Sequence, residues 1–145
     1  MKYLVDTNIL SSATAAQPRL DVVEWLDRHS PELALSVVTA SEILSGIAKL
    51  RREGATAKAA RLRDWWATLE HLYADRILPF GLTEARMAGE LADRARGNGH
   101  APGFADIAIA ATAAAHELTI LTRNIRHFGV LGVACLDLFE TLPAD

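Results

Sequence analysis

Apolar positions along the chain fall into two rhythms, short runs and longer stripes of helical period, and the two alternate from end to end. Tyr3-Leu4-Val5 is a short run interrupted by the polar triplet Asp6-Thr7-Asn8, after which Ile9 and Leu10 restore the apolar character. Asp, Thr and Asn bond back to nearby backbone, so this order predicts a buried strand ending in a turn. Pro18 stands where a helix can begin, and Val22, Val23, Trp25 and Leu26 make one face of it up to about His29. Leu33 to Val38, apolar and partly β-branched, predicts a second strand. Thr39-Ala40-Ser41-Glu42 then launches a helix bearing Ile43, Ile47 and Leu50 and stopping at Gly54.

From Thr56 to Tyr73 the spacing of Leu62, Trp65, Trp66, Leu69, Leu72 and Tyr73 predicts a long helix whose aromatic stripe packs into a core. Ile77 to Phe80 reads as a third strand, and its Pro79 suits an edge position. Thr83 caps a helix running to Arg96, where Gly97-Asn98-Gly99 stops it. An alanine-rich helix from about Ala105 to His116, a strand from Thr119 to Thr122 and a last β run at Val133 to Leu136 complete the order. Strands separated by helices require a mainly parallel sheet covered on both faces, a three-layer α/β class. At 145 residues, with no linker or repeat, the chain reads as a single domain over 1–145.

Composition narrows the function classes. With 50% apolar and 23% charged residues and a formal charge of -3, the chain is an ordinary globular sequence without a global basic field, so contact with nucleic acid must be local. Cys135 is the sole cysteine, which excludes an internal disulfide or a Cys-based zinc site and suits a reducing cytoplasm. No apolar run approaches the ~18 residues of a membrane span, and the start does not follow the pattern of a secretory leader. The expectation is a cytoplasmic protein without a membrane partner.

Acidic residues recur at one kind of place. Asp6 ends the first strand, and Glu42 and Asp106 lie at the starts of the helices that follow a strand or loop. Each has an innocent explanation. Glu42 closes a Thr-x-x-Glu capping box with Thr39, and Asp106 suits a helix N-terminus through the macrodipole. In a parallel sheet, however, strand carboxyl ends and following helix N-termini share one edge, so three carboxylates would face one crevice. Like charges there raise each other's pKa unless a cation offsets them. Oxygen-only ligands suit Mg²⁺ or Mn²⁺, an ion that activates water and neutralises charge on a phosphorane.

The residues also match a family. Leu4-Val5-Asp6-Thr7-Asn8, Ser41-Glu42-Ile43-Leu44-Ser45-Gly46, Ala105-Asp106-Ile107-Ala108-Ile109-Ala110-Ala111 and Leu121-Thr122-Arg123-Asn124 with Phe128 resemble, in order, the motifs of PIN-domain proteins, in particular VapC-type toxins of the FitB-like branch. The resemblance implies a three-layer α/β/α fold with strand order 3-2-1-4-5 and a Mg²⁺- or Mn²⁺-dependent ribonuclease. It also implies a homodimer neutralised by a small VapB-like antitoxin, with RNA as substrate. Position by position, it makes Asp6, Glu42 and Asp106 the acidic metal ligands, places Asn124 with them in the catalytic set, and gives Thr7, Asn8 and Thr122 the task of orienting them or a bound water. Many relatives carry Asp where this chain has Asn124; the amide keeps an oxygen ligand but removes one charge, which bears on how many ions are held.

Other readings stay beside this one. His100 and His127 flank the expected crevice but read as solvated loop residues and are left out of the site. Lys49, Arg51, Arg52, Lys58, Arg61 and Arg63 form a basic stretch that is either a solvated surface or, if it borders the site, a guide for a phosphate backbone. The apolar excess, including Trp25, Trp65 and Trp66, is expected to exceed what one small core hides and so to supply an interface. A phosphatase of the haloacid dehalogenase type would need a second Asp where Asn8 stands. A PIN-like domain that has weakened catalytically and serves RNA or partner binding is the non-enzymatic alternative.

Overall fold

The computed structural model describes residues 1–145. Five strands, β1 (Tyr3–Val5), β2 (Leu33–Ser36), β3 (Ile77–Leu78), β4 (Thr119–Leu121) and β5 (Cys135–Leu136), form one sheet of order β3-β2-β1-β4-β5. Every pairing is parallel, with Tyr3 opposite Leu33 on one side and Thr119 on the other. Seven helices cover it: α1 (Thr7–Ser12), α2 (Leu20–Arg28), α3 (Val37–Arg52), α4 (Thr56–Leu72), α5 (Leu82–Gly97), α6 (Phe104–Ala115) and α7 (Ile125–Gly129).

The pleat divides the interior into two cores. Leu4, Ala34 and Ile120 point to one face, where they meet Ala88 and Leu91 of α5, Ala110 and Ala113 of α6, and Phe128. Their neighbours Val5, Leu33, Leu35 and Leu121 point to the other, against Ile9, Trp25, Ile43, Ile47 and Trp66. This period of two is the strand geometry itself, and burial on both faces explains why the strands are apolar throughout rather than alternating. In α6 all residues from Ile107 to Ala113 are buried, and the alanines allow it to lie close to α5 and the sheet. Trp25 and Trp66 are 1% and 3% exposed, and Trp65 is half-buried. Trp25 and Trp66 are therefore core residues rather than a surplus left for an interface.

Three sequence expectations shift in ways that matter for the site. The segment after Asp6 is a helix, α1, rather than a turn, because Asp6 caps it: its carboxylate accepts from Thr7 N–H at 2.8 Å and its carbonyl from the N–H groups of Ile9 and Leu10. β2 stops at Ser36, whose hydroxyl accepts from Val38 N–H at 3.0 Å and starts α3 three residues earlier than Thr39. The capping box of Thr39 with Glu42 does not form; the β-branched pair Val37-Val38, which reads as strand, is the first turn of the helix. Thr83 likewise does not cap α5, which starts from Gly81 with the Glu84 side chain returning to the Gly81 N–H at 3.2 Å. No helix is long and apolar enough to cross a membrane.

Candidate active site

The carboxyl ends of β1, β2 and β4 deliver Asp6, Ser36 and Thr122 to one edge, all three buried. Asp6 continues the ladder, its N–H donating to Leu121 O at 2.9 Å, so its backbone is fixed by the central strands. Its side chain is held at both oxygens: Thr7 N–H donates to one, and the Thr122 hydroxyl donates to the other at 2.8 Å. Thr122 Oγ1 in turn accepts from Asn124 N–H at 2.9 Å. Asn124 thus enters the site through its backbone, while its side chain makes no capping bond at the start of α7. Asn8 Oδ1 accepts from Arg123 N–H at 3.2 Å and pins the β4–α7 loop to α1.

Glu42 lies on an exposed turn of α3, facing α1. Thr7 Oγ1 donates to Glu42 Oε1 at 2.7 Å and stands 3.3 Å from Thr39 Oγ1. Thr7 therefore links the two acids, its N–H on Asp6 and its hydroxyl on Glu42. Thr39, fully buried behind this pair, is a member of the network that its expected capping role concealed. Asp106, in the first turn of α6, has a 30% exposed side chain, with His127 Nδ1 3.4 Å from its Oδ2. His127 thus touches a site acid, contrary to its reading as a purely solvated residue, and His100 and Arg126 line the same pocket of about 350 Å³ beside Asp106. No local pattern marked this contact, which arises from the tertiary placement of α7 against α6.

Burial pushes the Asp6 carboxyl above its ordinary value, against the pull of Thr122 and Thr7, and the charges of Glu42 and Asp106 raise it further. The three acids thus share one field. No lysine or arginine stands within salt-bridge distance of any of them. They do not, however, close into a ready-made group of three ligating side chains. Asp6 is fixed and buried, Glu42 is exposed at the tip of a hydroxyl bridge, and Asp106 is paired with a histidine.

A parallel-sheet α/β domain that collects acidic side chains and hydroxyl supports at the carboxyl edge of β1, β2 and β4 is the class defined by this fold and site. The PIN domain family model matches residues 3–131. Toxin FitB of Neisseria gonorrhoeae is 36% identical over 132 residues, 90% of this chain and 94% of that protein. VapC ribonuclease Y4jK of Sinorhizobium fredii is 33% identical over 138 residues, 94% of this chain and 97% of that protein. The crystal structure of FitAcB from Neisseria gonorrhoeae superposes with a TM-score of 0.87 at 33% identity, covering 94% of this chain and 98% of the other. The chain belongs to the PIN domain family.

Proposed function

We propose that the protein is a metal-dependent endoribonuclease and the toxin of a type II toxin–antitoxin pair, acting in the cytoplasm. The observation that carries the reading is Asp6: a carboxylate 5% exposed, raised in pKa by burial and by two neighbouring acids, with no cationic side chain to offset it. Such a group weakens the fold unless a cation is its natural partner. The donor set is all oxygen, which fits Mg²⁺ or Mn²⁺. Because the acids do not close into a cage, a hard ion that keeps several of its own waters suits them. Asp6, Asp106 and Glu42 would hold it, Glu42 directly or through water.

When bound, the ion supplies an activated water and neutralises charge developing on the phosphorane. The chain's own residues do the positioning. Thr122 and the Thr7 N–H fix both oxygens of Asp6, the Thr7 hydroxyl aims Glu42, and Asn8 holds the loop that carries Thr122 and Asn124. Further support comes from the relatives, one named a VapC ribonuclease and another a toxin. A small VapB-like antitoxin is the expected partner. Homodimerisation is drawn from the exposed apolar residues Phe104 and Leu82, 69% and 66% exposed.

The deciding experiment is cleavage of single-stranded RNA with and without Mg²⁺ or Mn²⁺. Cleavage that excess chelator stops, and that Asp6→Asn and Asp106→Asn each abolish in folded protein, is the expected result. Undiminished cleavage in chelator would falsify the reading. The alternative, a weakened PIN-like domain that binds RNA or a partner, is favoured by the open spacing of the acids, and RNA binding without metal-dependent turnover would select it. Sedimentation at high concentration tests the dimer; a monomer counts against it.

A further inference from the structure

A groove of about 480 Å³ opens beside the Thr7–Glu42 pair, between α1, α3 and α4. Glu42, Gly46 and Leu50 line it at successive turns of α3, so it runs along that helix away from the acids. Across from them, Lys58, Arg61 and Trp65 project from one stripe of α4. Neither cation has a carboxylate within salt-bridge distance, and both are exposed. Trp65 is half-buried: it packs against the core that contains Trp66 while also lining the groove.

Gly46 leaves the groove unobstructed at the middle of its α3 wall. A glycine inside a helix costs stability relative to alanine. A Cβ at this position would meet no protein atom within 4 Å. The position is open, as it also is at Gly89 within α5. The rest of the basic stretch does not converge here: Lys49, Arg51 and Arg52 line a different depression on α3.

We infer that this groove is a single-nucleotide subsite for RNA, in which Trp65 stacks the base next to the scissile phosphodiester, Arg61 and Lys58 hold adjoining phosphates, and Gly46 leaves the space. The assignment rests on the ribonuclease reading and specifies how that site takes its substrate. Anions are drawn to the Lys58–Arg61 side and repelled at the Glu42 end, which orients a strand so that a phosphate meets the acids only where a cation is bound. Stacking on an aromatic face with phosphate contacts is the sequence-tolerant mode of binding single strands.

The test is fluorescence anisotropy of a short fluorescein-labelled single-stranded RNA on the full chain, at low salt and in excess chelator, where no cleavage is expected. Trp65→Ala should weaken binding roughly 5- to 100-fold, and Trp65→Phe should retain most of it. Arg61→Ala and Lys58→Ala should each lower the slope of log affinity against log salt by about 0.7. Gly46→Ala, which relieves the helix, should raise Tm while weakening binding, a combination that structural damage does not produce. An RNA bound equally by wild type and by Trp65→Ala, Arg61→Ala, Lys58→Ala and Gly46→Ala, or not bound by wild type, overturns the subsite and leaves the groove to a protein segment. Binding that depends on these residues in a protein that never cleaves RNA with metal supports the subsite and rejects the ribonuclease reading.

Discussion

Replacing Asp6 by Asn removes one charge from the most buried acid of the site with almost no change of shape. In the metal-free protein, burial and the charges of Glu42 and Asp106 oppose ionisation, while the Thr122 hydroxyl and Thr7 N–H favour it. The opposing effects win, since the carboxyl lies above its ordinary value of 3.8. A group so raised contributes stability that is complete below its unfolded pKa and lost as pH rises through the folded one, so at neutral pH ionised Asp6 is a net cost. Asp6→Asn removes that cost, and each kcal/mol so recovered raises the melting temperature of a chain of this length by roughly 2–4 °C. Differential scanning calorimetry in chelator should show the variant melting higher at pH 7, with the advantage disappearing as the pH is lowered toward the acid range. Mg²⁺ should reverse the order: at about 100 times its Kd an ion stabilises by ~2.7 kcal/mol the protein that binds it and leaves the variant behind. A variant that melts lower than wild type in chelator would mean the two hydrogen bonds outweigh burial and repulsion. Equal responses to Mg²⁺ would mean Asp6 does not hold the ion, and either result refutes the reasoning.

Asn124→Asp restores a charge at a position whose side chain makes no capping bond, and should tighten Mn²⁺ about 3- to 10-fold by isothermal calorimetry; unchanged or weaker binding would put residue 124 outside the coordination sphere. Asp106→Asn should abolish cleavage with little loss of stability, because the macrodipole contributes only about 0.3–1 kcal/mol at such a site; retained cleavage would reduce Asp106 to a helix-end residue. Remote from the site, His116 at 3.1 Å holds the Glu84 carboxyl below its ordinary 4.5, so the contribution of this contact is present above the unfolded value and lost as pH falls through the lower folded one. Glu84→Gln should therefore melt below wild type at pH 7 and converge with it in acid, and a deficit independent of pH would assign the loss to the Gly81 cap instead.

The sheet was legible because strands buried on both faces leave continuous apolar runs, and helices of four or five turns leave a clear stripe. Strand order was not legible from periodicity, and came from the family resemblance. What local pattern concealed lies at the two points where a strand hands over directly to a helix. Asp6-Thr7-Asn8 reads as a turn because the residues that bond back to backbone in turns also cap helices, and here Asp6 does so while remaining a site acid. Val37 and Val38 read as strand because β-branched residues favour it, yet the Ser36 cap overrides that preference. The His127 contact with Asp106 depends on tertiary placement, which no single-chain pattern carries.

The cap of α3 at Ser36 rather than Thr39 bears on why Glu42 is an acid. A cap at Thr39 would give Glu42 a sufficient structural reason to be an acid. With the cap at Ser36, Glu42 lies beyond the first turn, where the orphan N–H groups and the positive end of the dipole no longer favour it. Its hydrogen-bonding partner is instead Thr7, on another helix and bonded also to Asp6. An exposed glutamate gains little from such a bridge, and its charge adds to the burial that chiefly raises the Asp6 carboxyl. The two acids are therefore held together at a cost to the metal-free fold. Asp106 alone retains its innocent explanation, in the first turn of α6, and its case for the site rests on the field it shares with Asp6. The Asp6–Thr7–Glu42 link is therefore the strongest mark of function, two neighbouring carboxylates without a cationic partner within the chain.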